Sequence, residues 1–176
     1  TGQGEKLKLS LSCGTFEAGI VSVSFYAGGA VREVRLAQGE EIILATNAGV
    51  LPVRLSFSLY ENGNIKSAEP SHKLSFRTPV GSMELYDSTA GKDSADIGSL
   101  QFNRSWEITS FRLSDTSLGI KTPSGSSLKV EPVMSRCDGE RMAIVRHPLT
   151  VRLEDGSAVI SGGRETVTVP ISGASF

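Results

Sequence analysis

The sequence predicts an all-β, largely antiparallel protein, and three observations carry that expectation. Apolar and polar residues alternate with period two in almost every informative window, as in Leu7-Lys8-Leu9-Ser10-Leu11 and Val53-Arg54-Leu55-Ser56-Phe57-Ser58-Leu59. Such alternation puts every second side chain on one sheet face. Nineteen glycines and seven prolines break the chain at the short intervals that a meander needs. A block also recurs: an apolar or aromatic pair, a tight polar turn, a short strand, and further along a Thr-x-x-Gly turn. Self-similarity at a period of roughly 20 to 50 residues marks one supersecondary unit stacked on copies of itself.

Taken in order, Lys6 to Ser12 reads as a terminal strand that caps a sheet edge. Val21-Ser22-Val23-Ser24-Phe25 alternates into Tyr26 and the Gly28-Gly29 turn, and Ala30 to Leu36 leaves that turn. Val53 to Leu59 runs into Tyr60 and Glu61-Asn62-Gly63-Asn64. Asn-Gly there is the strongest short-range hairpin signal and predicts a type I′ turn, whose two central residues both take positive φ. Asn64 to Ala68 leaves it, Leu74 to Arg77 leads to Thr78-Pro79-Val80-Gly81, and Met83 to Tyr86 follows. Asp87 to Asp96, rich in Ser, Asp, Gly and Lys, reads as an inserted solvated loop.

A third block begins at Phe102-Asn103, but Arg104-Ser105-Trp106 stands where glycine is expected, which predicts a different or strained turn. Glu107 to Leu113 and Thr122-Pro123-Ser124-Gly125 complete it. Thr46-Asn47-Ala48-Gly49 is the matching second turn of the first block, and proline in the second place, at Pro79 and Pro123, presets φ for a type I or II turn. Val151 to Leu153, the turn Glu154-Asp155-Gly156-Ser157 and Val169 to Gly173 suggest a degenerate fourth block, with Glu165 to Ile171 closing the sheet. The expected organisation is one continuous domain, 1–176. Three or four double-hairpin units, near 19–54, 55–86, 98–133 and 149–176, form an extended or curled sheet or two packed sheets. A β-sandwich without repeats is the alternative architecture.

A chain of 176 residues buries about 70% of its unfolded surface, enough for a real core. Eighteen basic against nineteen acidic residues supply no global field for nucleic acid or anionic lipid, so neither is expected as a partner. The apolar clusters, such as Ile42-Ile43-Leu44 and Met142-Ala143-Ile144-Val145, are too short to span a bilayer, so no transmembrane segment is expected. No charged and apolar leader precedes Thr1. The chain is therefore either cytosolic or one whose leader has been removed, and a periplasmic or extracellular location is favoured over a cytoplasmic one. Cys13 and Cys137 are too few for a zinc site. They form either two thiols or one long-range bridge, worth about 4 to 5 kcal/mol in the chain-entropy model.

Phe25-Tyr26-Ala27-Gly28-Gly29-Ala30-Val31-Arg32 and Leu59-Tyr60-Glu61-Asn62-Gly63-Asn64-Ile65-Lys66 resemble the aromatic, Asn-Gly, aliphatic, Lys/Arg core of MORN-variant repeats. These belong to bacterial proteins, some described as antitoxin components. The resemblance covers about half the chain. It implies successive β-hairpins acting as a scaffold or binding surface, with a protein partner and no catalysis. The Thr-Pro-x-Gly half lies outside the motif, and Phe102-Asn103-Arg104-Ser105-Trp106 departs from it.

Catalytic motifs do not emerge. Asp115-Thr116-Ser117-Leu118-Gly119 lacks the first glycine of a nucleophile elbow, and Ser126-Ser127-Leu128-Lys129 fits Ser-x-x-Lys only formally, because that motif works from a helix. His72 and His147 have no motif partner, although Asp138 or Glu140 beside His147 would make a base. Asp93, Asp96, Glu154 and Asp155 are too scattered for calcium, and Gly2-Gln3-Gly4 lacks the strand that a dinucleotide fingerprint requires. No catalytic residue, metal site or cofactor is expected. Asn103-Arg104-Ser105 is a glycosylation sequon by pattern.

Trp106, Tyr26, Tyr60 and Tyr86 are the candidate ligand-binding residues. The structural reading of Tyr26 and Tyr60 is a ring flanking each turn with its hydroxyl at the surface; the functional reading is a flat stripe for sugars. The expected function is a nonenzymatic interaction or scaffolding module of a bacterial protein, in the cell envelope. The alternative is a small ligand-binding β-domain, with carbohydrate as the leading ligand.

Overall fold

A computed structural model describes residues 5–47, 49–86, 98–113, 117–121, 125–137, 143–162 and 165–172. These form an all-β, antiparallel, hairpin-rich protein, and no helix occurs among them. The strands in chain order are β1 (Glu5–Leu11), β2 (Gly14–Phe25), β3 (Val31–Leu36), β4 (Glu41–Thr46), β5 (Gly49–Leu59), β6 (Ile65–Pro70), β7 (Leu74–Thr78) and β8 (Gly81–Leu85). They continue with β9 (Leu100–Phe102), β10 (Ile108–Leu113), β11 (Leu118–Lys121), β12 (Ser127–Val130), β13 (Val133–Cys137), β14 (Ala143–His147), β15 (Leu149–Glu154), β16 (Ser157–Gly162) and β17 (Glu165–Pro170). The expected loop at Asp87 to Asp96 lies outside the described residues. The chain divides into two compact units, Thr1–Lys73 with Ala90–Ile108, and Leu74–Thr89 with Thr109–Phe176.

In the first unit the sheet runs β1-β2-β3-β5-β6-β9, with β4 also paired to β5. Alternation sorts its two faces. Val23, Val34, Phe57, Ala68 and Leu100 stand opposite one another in register across five strands, and the last four are fully buried. The neighbouring row, Ser24, Glu33, Ser58, Ser67 and Gln101, occupies the opposite face. Within it the Ser58 and Ser67 hydroxyls share a hydrogen bond.

The two long strands change partner partway along. β2 pairs with β1 up to Ile20 and with β3 from there on. β5 pairs with β4 up to Arg54 and with β3 from Ser56. Register shifts mark both changeovers, around Val21 in β2 and between Val53 and Phe57 in β5. Leu55 takes φ 62°, a left-handed conformation that costs a leucine about 1–2 kcal/mol. A bulge of this kind bends its strand and raises its twist.

Beyond each bend the early halves bring their own apolar faces in. Phe16 meets Phe57 edge-on, ring centroids 5.9 Å apart, and Ile42, Leu44, Leu51 and Val53 are buried on one side of the β4–β5 hairpin. Ala45 N–H donates to the Cys13 carbonyl, tying that hairpin to the β1–β2 turn.

The second unit holds the sheet β10-β15-β16-β17 and the hairpins β7–β8, β11–β12 and β13–β14. Phe111, Val151 and Ile160 form its central cross-strand row and are fully buried. Gly162 is small because a Cβ there would lie 2.6 Å from Leu149 Cδ2. Glu154-Asp155-Gly156-Ser157 makes the two-residue hairpin with positive φ at both central residues, 46° and 74°. The two described Thr-x-x-Gly turns close alike: Thr46 Oγ1 donates to the Gly49 carbonyl and Thr78 Oγ1 to that of Gly81, each at 2.8 Å. The third, at Thr122, lies outside the described residues.

Phe57 holds the centre of the first unit, so Phe57→Ala is expected to lose about 3–5 kcal/mol. Urea unfolding followed by circular dichroism checks this; a loss under about 1 kcal/mol would place the core elsewhere.

Candidate functional site

Three turns of the first unit are built to one plan. In the segments 26–30, 60–64 and 103–107 the first residue's N–H donates to the fifth residue's carbonyl, and the fourth residue's N–H donates to the first residue's carbonyl. This is a three-residue hairpin loop, a type I turn followed by one left-handed residue. The left-handed place is filled by Gly29 at φ 84°, Gly63 at φ 84° and Trp106 at φ 69°. The type I′ turn expected at Asn62-Gly63 is therefore corrected, because only Gly63 takes positive φ. The third turn is not different in its hydrogen bonds, but it is strained: a tryptophan stands where glycine is free of Cβ crowding.

Tyr26 and Tyr60 hold matching places, and each reaches to the next hairpin. Tyr26 Oη donates to the Leu59 carbonyl and Tyr60 Oη to the Phe102 carbonyl, both at 2.8 Å. Each acceptor is the residue just before the next turn. The rings are half-buried, so the hydroxyls brace backbone and do not point freely to solvent. The third turn begins with Asn103, whose carboxamide folds back on its own loop. Its Oδ1 accepts from the N–H groups of Ser105 and Glu107, and its Nδ2 donates to Glu107 Oε2.

Around these ties the polar groups engage one another. Asn64 Nδ2 donates to the Arg104 carbonyl at 2.9 Å, and the Arg104 guanidinium lies 5.7 Å from the Tyr60 ring centroid, within cation–π range. Ser12 Oγ donates to the Gly63 carbonyl, and a Cβ at Gly63 would come 2.6 Å from that hydroxyl. Trp106 packs edge-on to Phe102, centroids 6.5 Å apart, and stays partly exposed. Tyr26, Tyr60 and Trp106 thus all belong to the turns of the first unit. Tyr86 belongs to the second, where it forms a parallel bridge with Leu113 and its N–H donates to the Arg112 carbonyl.

Cys13 is a free thiol, 1% exposed, and burial pushes its pKa up. The side chain of Cys137, the other half of the weighed bridge, lies outside what is described, as do those of His147, Asp138 and Glu140. His72 is exposed and its Nδ1 shares a hydrogen bond with Ser71 Oγ at 2.9 Å. Lys129 lies on β12 and Ser126 immediately precedes that strand. An i, i+3 pair on a strand points to opposite faces, so lysine cannot reach serine as it would on a helix. The outer face of β11–β12 lines an open trough of about 440 Å³ with Lys121, Lys129, Ser117 and Ser127. Lys129 is paired there to Glu131 at 2.6 Å. No group of three or more His, Cys, Asp or Glu gathers for a metal among the described residues.

Sequence reasoning missed two features. Glu69 is a buried carboxylate on β6 that accepts from both the backbone N–H and the hydroxyl of Ser99. Arg104 was read as part of the third turn and of a sequon, and its contact with the Tyr60 ring depends on how neighbouring hairpins are placed, which no local pattern signals. No family model, no curated protein and no solved structure matches the chain.

Tyr26→Phe and Tyr60→Phe are each expected to lower stability by about 0.5–1.5 kcal/mol in urea unfolding. Trp106→Gly is expected to be more stable than Trp106→Ala by about 1 kcal/mol, the reverse of the usual strand order. An alanine variant equal to the glycine variant would deny the strain. Cys13 is expected to react with a thiol reagent at neutral pH only after denaturant is added, because the buried thiol holds its proton. Fast labelling of that residue in the native protein would contradict its burial.

Proposed function

We propose that this chain is a nonenzymatic interaction module that binds another protein as a scaffold, the role that the MORN-variant resemblance implies for a bacterial protein, and that it works in the cell envelope. The observation that carries this reading is the outer face of the β4–β5 hairpin. Ile43 is 59% exposed and Val50 69% exposed; Pro52 is the cross-strand partner of Ile43 and Ala45 that of Val50. The other face of the same hairpin is fully engaged in the core. Large apolar side chains grouped on a rigid two-stranded ribbon suit a protein contact. The reading includes the view that the hairpins are copies of one repeat, three or four in number, supported by the identical bonding of the turns 26–30, 60–64 and 103–107.

A second reading, a carbohydrate-binding domain, is favoured by Trp106. A large ring held in a strained conformation and partly exposed is the kind of feature that binding sites retain. Tyr60 supports it less, since the Arg104 guanidinium lies over its ring.

Two screens run side by side separate the readings. The expected outcome is silence on a broad glycan array and a saturable protein partner in cross-linking capture. The double substitution Ile43→Glu, Val50→Glu should weaken that partner on the order of tenfold, or about 1.4 kcal/mol. Saturable glycan binding that Trp106→Ala removes would replace the first reading with the second.

A further inference from the structure

We infer that Asn62 is a self-modification site that the fold holds shut: when the turn 60–64 opens, the Gly63 nitrogen attacks the Asn62 carboxamide and converts that residue to aspartate or isoaspartate. This goes beyond the proposed function and does not depend on it, since it concerns the chemistry of one turn and needs no partner.

The reaction follows from the residues. Of the four asparagines, Asn47, Asn64 and Asn103 each precede a residue with a side chain, which crowds the nitrogen that would attack. Asn62 precedes glycine, which has no Cβ in the way and reaches backbone conformations closed to other residues. In the step a bond forms between Gly63 N and Asn62 Cγ, and the bond from Cγ to Nδ2 breaks. Nδ2 leaves as ammonia, and the proton it takes up balances the one that Gly63 N gives up. Water then opens the five-membered imide at either carbonyl. One opening leaves aspartate; the other leaves isoaspartate, in which the main chain runs through the former side chain. Water is the only co-reactant.

Asn62 is exposed in the turn between β5 and β6, so solvent reaches it, but the turn opposes attack. Gly63 N–H donates to the Tyr60 carbonyl at 2.8 Å, which retains the proton that has to leave. Asn62 Oδ1 accepts from Asn64 N–H at 3.1 Å, which ties the carboxamide to the nitrogen after the one that attacks. That N–H shares a peptide plane with the Gly63 carbonyl, and the Gly63 carbonyl accepts from Ser12 Oγ, 51 residues away in the chain. Ser12 stands in the turn between β1 and β2, so the lock on Asn62 is tertiary and lasts while the two turns stay together. Isoaspartate lengthens the main chain between Tyr60 and Asn64, whose bonds close a loop of fixed length. A turn that has reacted in this way does not reclose in the same register, and the site records the time a molecule has spent with this hairpin open.

The test incubates the full chain at neutral pH in buffer and in urea. The tryptic peptide 55–66, which follows Arg54 and ends at Lys66, is then assayed by mass spectrometry and with an isoaspartate-specific methyltransferase. Conversion in buffer should be slower than in urea by on the order of tenfold or more, because it waits on local opening. Asn64, in the same peptide, should stay intact in both. Ser12→Ala removes an exposed hydroxyl, so circular dichroism should match the wild type. Its conversion in buffer should be roughly threefold to tenfold faster through the lost hydrogen bond, with the rate in urea unchanged. Equal rates in buffer and urea, no conversion in either, or a Ser12→Ala chain that reacts in buffer no faster than the wild type overturns the inference.

Discussion

A two-stranded ribbon cannot hide one of its faces from water, and in the first unit the row Val23, Val34, Phe57, Ala68 and Leu100 is what closes that face. Each member stands in register with the next across β2, β3, β5, β6 and β9. The row has to stay in register, because a slip of one residue would turn serines and charges into the core. The phenol ties act on that same constraint. By anchoring Tyr26 to Leu59 and Tyr60 to Phe102, they set the height of each hairpin against its neighbour at the end where a strand would otherwise be free to slide. Core and ties are therefore two expressions of a single requirement.

The bends of β2 and β5 serve the other side of the row. Straight strands would carry the early halves of β2 and β5 away from the sheet, and Phe57 would lose the cover that Phe16 of β2 provides. The left-handed Leu55 is the local strain that makes this return possible, and it is offset by the burial of Leu44, Leu51 and Val53 beyond it. The second unit meets the same need differently, with shorter strands and a row through Phe111, Val151 and Ile160.

Much of this was legible in the sequence, because period-two alternation is a direct imprint of a sheet with one buried face. Val53 to Leu59 and Val21 to Phe25 read as strands and are strands, and Glu107 to Leu113 is one from Ile108 on. Turn chemistry was legible in kind more than in detail. Asp155-Gly156 made the two-residue loop it announces, while Asn62-Gly63 made a three-residue one. Both carry the same signal, and what divides them is whether the next residue pairs, which depends on the partner strand. The Thr-x-x-Gly recurrence was visible, yet its cause was not, since the threonine hydroxyl that closes the turn competes with many other donors in a serine-rich chain. Glu69 was unreadable for a different reason: a carboxylate in an alternating strand ordinarily points to solvent, and the hydroxyl and amide at Ser99 that help make its burial tolerable lie thirty residues away. The tyrosine positions stood out as repeats of each other, but the carbonyls they reach belong to a hairpin whose placement no local pattern encodes.

The direction of the phenol bonds bears on how the chain comes into being. Both hydroxyls reach forward along the polypeptide, over 33 residues from Tyr26 and 42 from Tyr60, and neither reaches back. A ribbon leaving the ribosome is thus unbraced until the following one has emerged. Asn103, satisfied within its own loop, asks nothing of what comes after it, and there the dependence on later synthesis stops.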